Sequence, residues 1–205
     1  LLCSAACSHQ TTTVSTPVPA NLKSLPYAAV YGDHDGAVAS VNPLASQVGL
    51  ATFAAGGNAI DAAIAMAFSL GVVDSHNSGI GGGCFILVRM ADGRILAIDG
   101  RETAPAAVTR ETYLKDGKVQ PGLSKTGALA SGIPGSVAAY HHLQKLGGKL
   151  DWAQVILPAA ELAERGFPID RTLALRLARV QADLARFPEA AQIYLLPSGE
   201  VPAAG

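Results

Sequence analysis

Apolar and polar positions alternate between two periods along this chain, and the changes of period mark its elements. Ala37-Val38-Ala39 reads as a short strand. Asn42-Pro43 then opens a helix, Asn as cap and Pro at the first helical position, running to about Ala55 and stopping at Gly56-Gly57. Asn58 caps a second helix, Ala59 to about Leu70, that is apolar on every side except for Asp61 and Ser69, so it is expected to be buried. At Cys84–Met90 the pattern becomes strand-like. Ala91-Asp92-Gly93-Arg94 reads as a hairpin turn, Ile95–Asp99 as the return strand, and Gly100–Pro105 as a loop leaving it. Tyr113–Gln120, with Asp116-Gly117 inside, reads as a further turn or small hairpin. Helical spacing then resumes. One helix opens at Pro134 and ends at Gly147-Gly148. Asp151–Arg165 reads as two short helices separated by Pro158, and Asp170 caps a last helix that reaches about Arg186. Helices before and after a central hairpin predict an α+β or layered α/β fold rather than a βαβ series.

Composition narrows the picture. The 205 residues are 49% hydrophobic and 15% charged with a net charge of −1, so a sizeable core is expected and nothing points to nucleic acid. The second helix is too short to span a bilayer, which takes about 20 apolar residues. Leu1–Cys7 reads as the end of an apolar leader, and Cys7 after Ala5-Ala6 resembles a bacterial lipoprotein cleavage site, although Ser4 stands where that pattern usually has Leu. Lipid attachment at Cys7, plain secretion and an unprocessed leader all remain open, with an exported location, periplasmic or anchored at the outer membrane, expected. Ser8–Asn21, rich in Thr, Ser and Pro, reads as a tether, so residues 1–26 are set apart from a folded part at 27–205.

Candidate chemistry is sparse. Gly79, Gly81, Gly82 and Gly83 crowd five positions before a strand, but they fail the dinucleotide fingerprint at Cys84, and no Lys-Ser/Thr follows for a phosphate loop. Close packing of the buried helix against the strand is the expected reason for them. His9, His34, His76, His141 and His142 show no metal-ligand spacing, and Asp33-His34-Asp35 reads as a polar loop. Cys84 reads as a small strand residue, and Arg171, Arg176, Arg179 and Arg186 as a solvated helix face. Arg101, where a strand gives way to a loop, suits a two-bond grip on a carboxylate; a salt bridge to Asp99, Glu102 or another loop carboxylate is the structural alternative.

Taken together, "NPLASQVGLATFAAGGNAIDAAIAMAFSLGVV" (42–73), "SGIGGGCFILV" (78–88), "DGRETAP" (99–105) and "SGIPGSVAAY" (131–140) resemble the large-subunit half of the gamma-glutamyltranspeptidases, in order from about Gly36 to Arg186. Asn42 departs from the family's frequent His or Glu, and Cys84 from a frequent fourth glycine.

The resemblance implies an α+β chain of the Ntn-hydrolase class, a four-layer αββα sandwich incomplete in this chain. It implies a precursor that cuts itself into two subunits. The new N-terminal Thr of the small subunit then attacks the gamma-glutamyl amide of glutathione or a relative, with its own amine as base, and passes the acyl group to water, an amino acid or a peptide. No cofactor and no metal is implied. By motif match Arg101 binds the α-carboxylate of the gamma-glutamyl group. No match to the nucleophile segment occurs here, and Thr11-Thr12-Thr13 lies in the tether, so this chain alone is expected to be inactive and to need the small subunit as partner. Alternatives are a related cephalosporin or glutaryl acylase, and a non-catalytic exported glutamate-binding module.

Overall fold

The structure, a computed structural model, describes residues 28–31 and 36–205. The leader, Cys7, the tether with Thr11–Thr13, and Asp33-His34-Asp35 lie outside the described residues. The chain divides into two compact units, one through Gly79 together with Gly148–Gly205, the other Ile80–Gly147.

In the first unit, β1 (Ala28–Tyr31) pairs antiparallel with β2 (Ala37–Ser40), from Ala28 opposite Ser40 to Tyr31 opposite Ala37. Helix α1 (Pro43–Ala54) starts where Asn42, extended, accepts the Leu44 N–H at 2.9 Å. It ends in a Schellman motif. Gly56 at φ +88° donates to the Phe53 carbonyl at 2.9 Å, and Gly57 to that of Thr52 at 3.0 Å. A side chain at Gly56 would be strained there, which is why Gly-Gly stops the helix.

Helix α2 (Ala59–Val73) is longer than expected. Val73 is buried with Ala45, Leu70 and Leu162 in one cluster, so packing carries the helix past Leu70. A second cluster joins Val38, Ala62 and Met66, with Leu50 and Phe53 against it. The apolar-all-round pattern therefore has its physical cause, because α2 meets both α1 and α4 (Trp152–Arg165).

Helix α4 corrects the expectation of two short helices: it runs unbroken with Pro158 inside. Val155, Ala159 and Leu162, spaced 4 and 3 apart, form one buried stripe, and Trp152 meets Phe68 edge-to-face at 5.6 Å. A break at Pro158 would split that stripe, so its burial outweighs the one backbone hydrogen bond proline removes. Asp170 accepts the Leu173 N–H at 2.7 Å and starts α5 (Arg171–Leu184). Arg171, Arg176, Arg179 and Arg186 are all exposed, and Arg186 pairs with Asp183 at 3.1 Å. A short further helix, α6 (Pro188–Tyr194), follows and begins on its proline.

Asp61 ties this unit together. Fully buried in the first turn of α2, it accepts the Asn58 N–H at 2.9 Å and completes a capping box. The same carboxylate also accepts the Lys149 N–H at 3.0 Å and the Leu150 N–H at 3.3 Å, 88 and 89 residues away. The one acid in an apolar helix is thus a long-range tie between α2 and the segment that leads into α4.

In the second unit, β3 (Cys84–Arg89) and β4 (Ile95–Gly100) form an antiparallel hairpin, with Cys84 opposite Gly100 and Arg89 opposite Ile95. Its turn has Gly93 at φ +88° donating to the Met90 carbonyl at 3.0 Å. The exposed Asp92 carboxylate is held below the usual range by the Arg94 backbone N–H first and its guanidinium second. β5 (Leu114–Lys115) and β6 (Lys118–Val119) close a small hairpin in which Asp116 (φ 53°) and Gly117 (φ 71°) both take the left-handed conformation of a type I′ turn. Helix α3 (Ser136–Gly147) begins two residues after Pro134 and packs on β3 and β4.

The strands thus make three separate two-stranded sheets among the described residues. One face of the β3–β4 hairpin carries Phe85, Leu87 and Ile95 at 69%, 60% and 66% exposure. A lone two-stranded hairpin is marginal in water, and the continuous apolar runs Phe85–Val88 and Ile95–Ile98 are those of strands packed on both faces.

Candidate functional site

Three segments of the second unit converge at the end of β4: the glycine run, the Gly100–Thr103 exit and the approach to α3. Backbone hydrogen bonds hold them. The Gly135 and Ser136 N–H groups both donate to the Gly82 carbonyl at 3.1 Å, and Thr103 and Ile133 bridge each other at 3.3 and 2.8 Å.

Glycine is required where they touch. A Cβ on Gly83 would lie 2.5 Å from a Glu102 carboxylate oxygen and 2.8 Å from both the Glu102 nitrogen and the Gly100 carbonyl oxygen. One on Gly135 would collide with the Gly100 carbonyl and lie 2.9 Å from that of Arg101. By contrast, nothing lies within 4 Å of the corresponding point on Gly79 or Gly81. The crowding at Gly82 and Gly83 is therefore against Gly100 and Glu102, rather than against the buried helix expected from the sequence.

Arg101 stands at the centre of this arrangement. Its N–H donates to Asp99 Oδ1 at 2.9 Å, so the backbone is fixed. Its side chain is exposed, and among the described residues no carboxylate lies within ion-pair distance of the guanidinium. The alternative of a salt bridge to Asp99 or Glu102 is thus not formed: Asp99 spends an oxygen on the backbone, and Glu102 lies against the glycines. What results is a cation on a rigid strand end with its planar fork uncommitted.

Cys84 lies opposite the preceding residue, Gly100, on the ladder. Its half-buried thiol is in hydrogen-bond contact with the Ser136 and Tyr140 side chains. Burial pushes the thiol above its ordinary value; the two hydroxyls work against that, and the Glu102 and Asp99 charges add to it. Burial likewise raises Tyr140, with Cys84 the next cause. The sequence reading did not join these residues, although the four-residue spacing of Ser136 and Tyr140 on α3 does place them on one helix face. Among the described residues no group of three or more His, Cys, Asp or Glu is placed to hold a metal ion. His141 and His142 are both exposed, and His76 lies in the first unit, 3.4 Å from Asp74.

Comparison with known proteins agrees with this architecture. The Gamma-glutamyltranspeptidase family model matches residues 45–205. Over 196 residues the chain is 40% identical to the glutathione hydrolase proenzyme of Bacillus subtilis, covering 91% of this chain and 33% of that protein. The crystal structure of Helicobacter pylori gamma-glutamyltranspeptidase superposes with a TM-score of 0.81 at 35% identity, over 86% of this chain and 51% of that one. A cephalosporin acylase from Bacillus halodurans superposes with a TM-score of 0.68 at 32% identity, over 80% of this chain and 31% of that one. The chain spans 25% to 33% of the length of the first curated relatives it matches. The mixed helix–strand architecture is that of the Ntn-hydrolase class, here as part of the sandwich. With a match that begins in the first turn of α1 and runs through the Arg101 site to the end of α6 and beyond, the chain belongs to the gamma-glutamyltranspeptidase family.

Proposed function

We propose that the complete protein cleaves gamma-glutamyl amides, glutathione among them, and that this chain supplies the anchor for the donor's α-carboxylate through Arg101. The observation that carries this reading is the state of that residue, with its backbone clamped and its guanidinium unpaired at a strand end. A planar fork held there can take both oxygens of a carboxylate, and a fixed head group holds the amide carbon where a nucleophile can reach it. The reading assigns the nucleophilic Thr and the small subunit to the part of the relatives that this chain does not span, and names water, amino acids and peptides as acceptors. The strands of that part would cover Phe85, Leu87 and Ile95. Export, with lipid attachment at Cys7 as one route, belongs to the same reading.

The test is hydrolysis of gamma-glutamyl-p-nitroanilide by the complete protein. Arg101→Ala is expected to lower kcat/KM roughly 30-fold or more, chiefly through KM, because a charge-assisted contact to the substrate is lost. Arg101→Lys is expected to recover little, since one ammonium cannot reproduce the paired geometry. A kcat/KM within threefold of wild type for Arg101→Ala would remove the anchor.

The acylase neighbour favours a second reading, in which the carboxylate belongs to a glutaryl side chain and no α-amino group is needed. Parallel hydrolysis of gamma-glutamyl and glutaryl amides separates the two; a preference for the glutaryl compound would replace the first.

A further inference from the structure

Arg101 can only aim as well as the backbone beneath it is held. Three of the holds are already described: the Asp99 carboxylate on its N–H, Gly135 against its carbonyl, and the Thr103–Ile133 bridge. The remaining side of the strand end, under Gly100, is closed by side chains. Cys84 faces Gly100 across the ladder, and a Cβ on Gly100 would lie 3.1 Å from the Cys84 sulfur and 2.6 Å from the Ala139 Cβ. Ser136, 1% exposed, and Tyr140 flank the thiol from α3.

We infer that Cys84, Ser136 and Tyr140 form a polar latch that positions Arg101 by fixing Gly100 between β3 and the first turns of α3. None of the three touches substrate; they are positioning residues, and the inference rests on Arg101 being the carboxylate anchor. The reasoning is steric and polar together. Gly100 has no side chain of its own to lock it, so its place is set by what it lies against. The buried hydroxyl of Ser136 has to keep a hydrogen-bond partner, which keeps the thiol, and with it the floor under Gly100, in one arrangement. If that arrangement loosens, the guanidinium swings at the end of a short lever. A loosened guanidinium grips the carboxylate less well, a loss of binding that is read in KM.

The experiment uses the complete mature protein and compares Cys84→Ala, Ser136→Ala and Tyr140→Phe with Cys84→Ser and Arg101→Lys. Each reads KM and kcat separately, with the thermal midpoint alongside. The expected result is a 3- to 10-fold rise in KM for Cys84→Ala and Ser136→Ala, with kcat within twofold of wild type. Cys84→Ser, which keeps a donor and acceptor at the same place, is expected to recover most of the loss. Tyr140→Phe keeps its ring and so reports on the hydroxyl even where the smaller variants fold poorly; a KM rise of at least twofold is expected. Unchanged KM in all latch variants, while Arg101→Lys does raise it, would overturn the latch and leave the anchor standing. A fall in kcat and midpoint with constant KM would assign the cluster to stability alone and overturn the latch as well. Unchanged KM in Arg101→Lys too would overturn both.

Discussion

Replacing Asp61 by alanine should damage the first unit more than any substitution of an exposed charge. The carboxylate is fully buried and accepts three backbone N–H groups, from Asn58 at 2.9 Å, Lys149 at 3.0 Å and Leu150 at 3.3 Å. A hydrogen bond to a charged acceptor contributes about 1.5–3 kcal/mol, and a buried N–H left without a partner costs about 1–3 kcal/mol. The three do not add in full. Lys149 lies at an exposed position, where water can replace part of what is lost, and the Leu150 bond is the longest. A loss of roughly 3–5 kcal/mol follows, a large share of the 5–15 kcal/mol typical of a folded domain. Asp61→Asn keeps one acceptor oxygen and the side-chain volume but turns an N–H₂ toward other N–H groups, so about half that loss is expected. The scale is set by Asn58→Ala, which removes the cap to the Ile60 and Asp61 N–H groups and should cost about 1 kcal/mol. Equilibrium urea unfolding of the three variants measures this, provided the slope with denaturant stays constant. If Asp61→Ala costs no more than Asn58→Ala, the tie to Lys149 and Leu150 contributes nothing and the reasoning fails.

Two further outcomes follow from the second unit. Gly135→Ala places a methyl group against the Gly100 and Arg101 carbonyls and should lower stability by about 1–3 kcal/mol as well as raising KM, whereas Gly122→Ala, with nothing within 4 Å, should be neutral; equal thermal midpoints for the two would refute the close approach. Burial raises the Cys84 thiol, so less of it is thiolate at neutral pH than in an unfolded peptide. Its alkylation by iodoacetamide should therefore be slow at pH 7 and accelerate as pH rises, over a range displaced upward from that of a cysteine peptide; labelling at pH 7 faster than the peptide's would contradict the raised value.

Much of the architecture is written in local chemistry. Asn42-Pro43, Gly56-Gly57, Asn58 and Asp170 each place a helix end because the signal and its hydrogen bond lie within a few residues. Asp116-Gly117 does the same for the small hairpin, since both residues tolerate positive φ. The family, too, was legible, because its glycine run and Arg-Glu-x-Ala-Pro loop are contiguous stretches. Tertiary structure decided what depends on distant partners. Pro158 argues locally for a break, yet α4 continues because Val155 and Leu162 share one buried stripe. Asp61 looks like an interruption of an apolar helix until residues 149 and 150 arrive at its carboxylate. Close packing is legible in the glycine run, but only the fold shows that Gly83 meets Gly100 and Glu102, and that Gly135 meets the Gly100 and Arg101 carbonyls. Capping and turn formation involve neighbours along the chain. Burial, ties across 88 residues and close backbone approach involve neighbours in space, which only folding brings together.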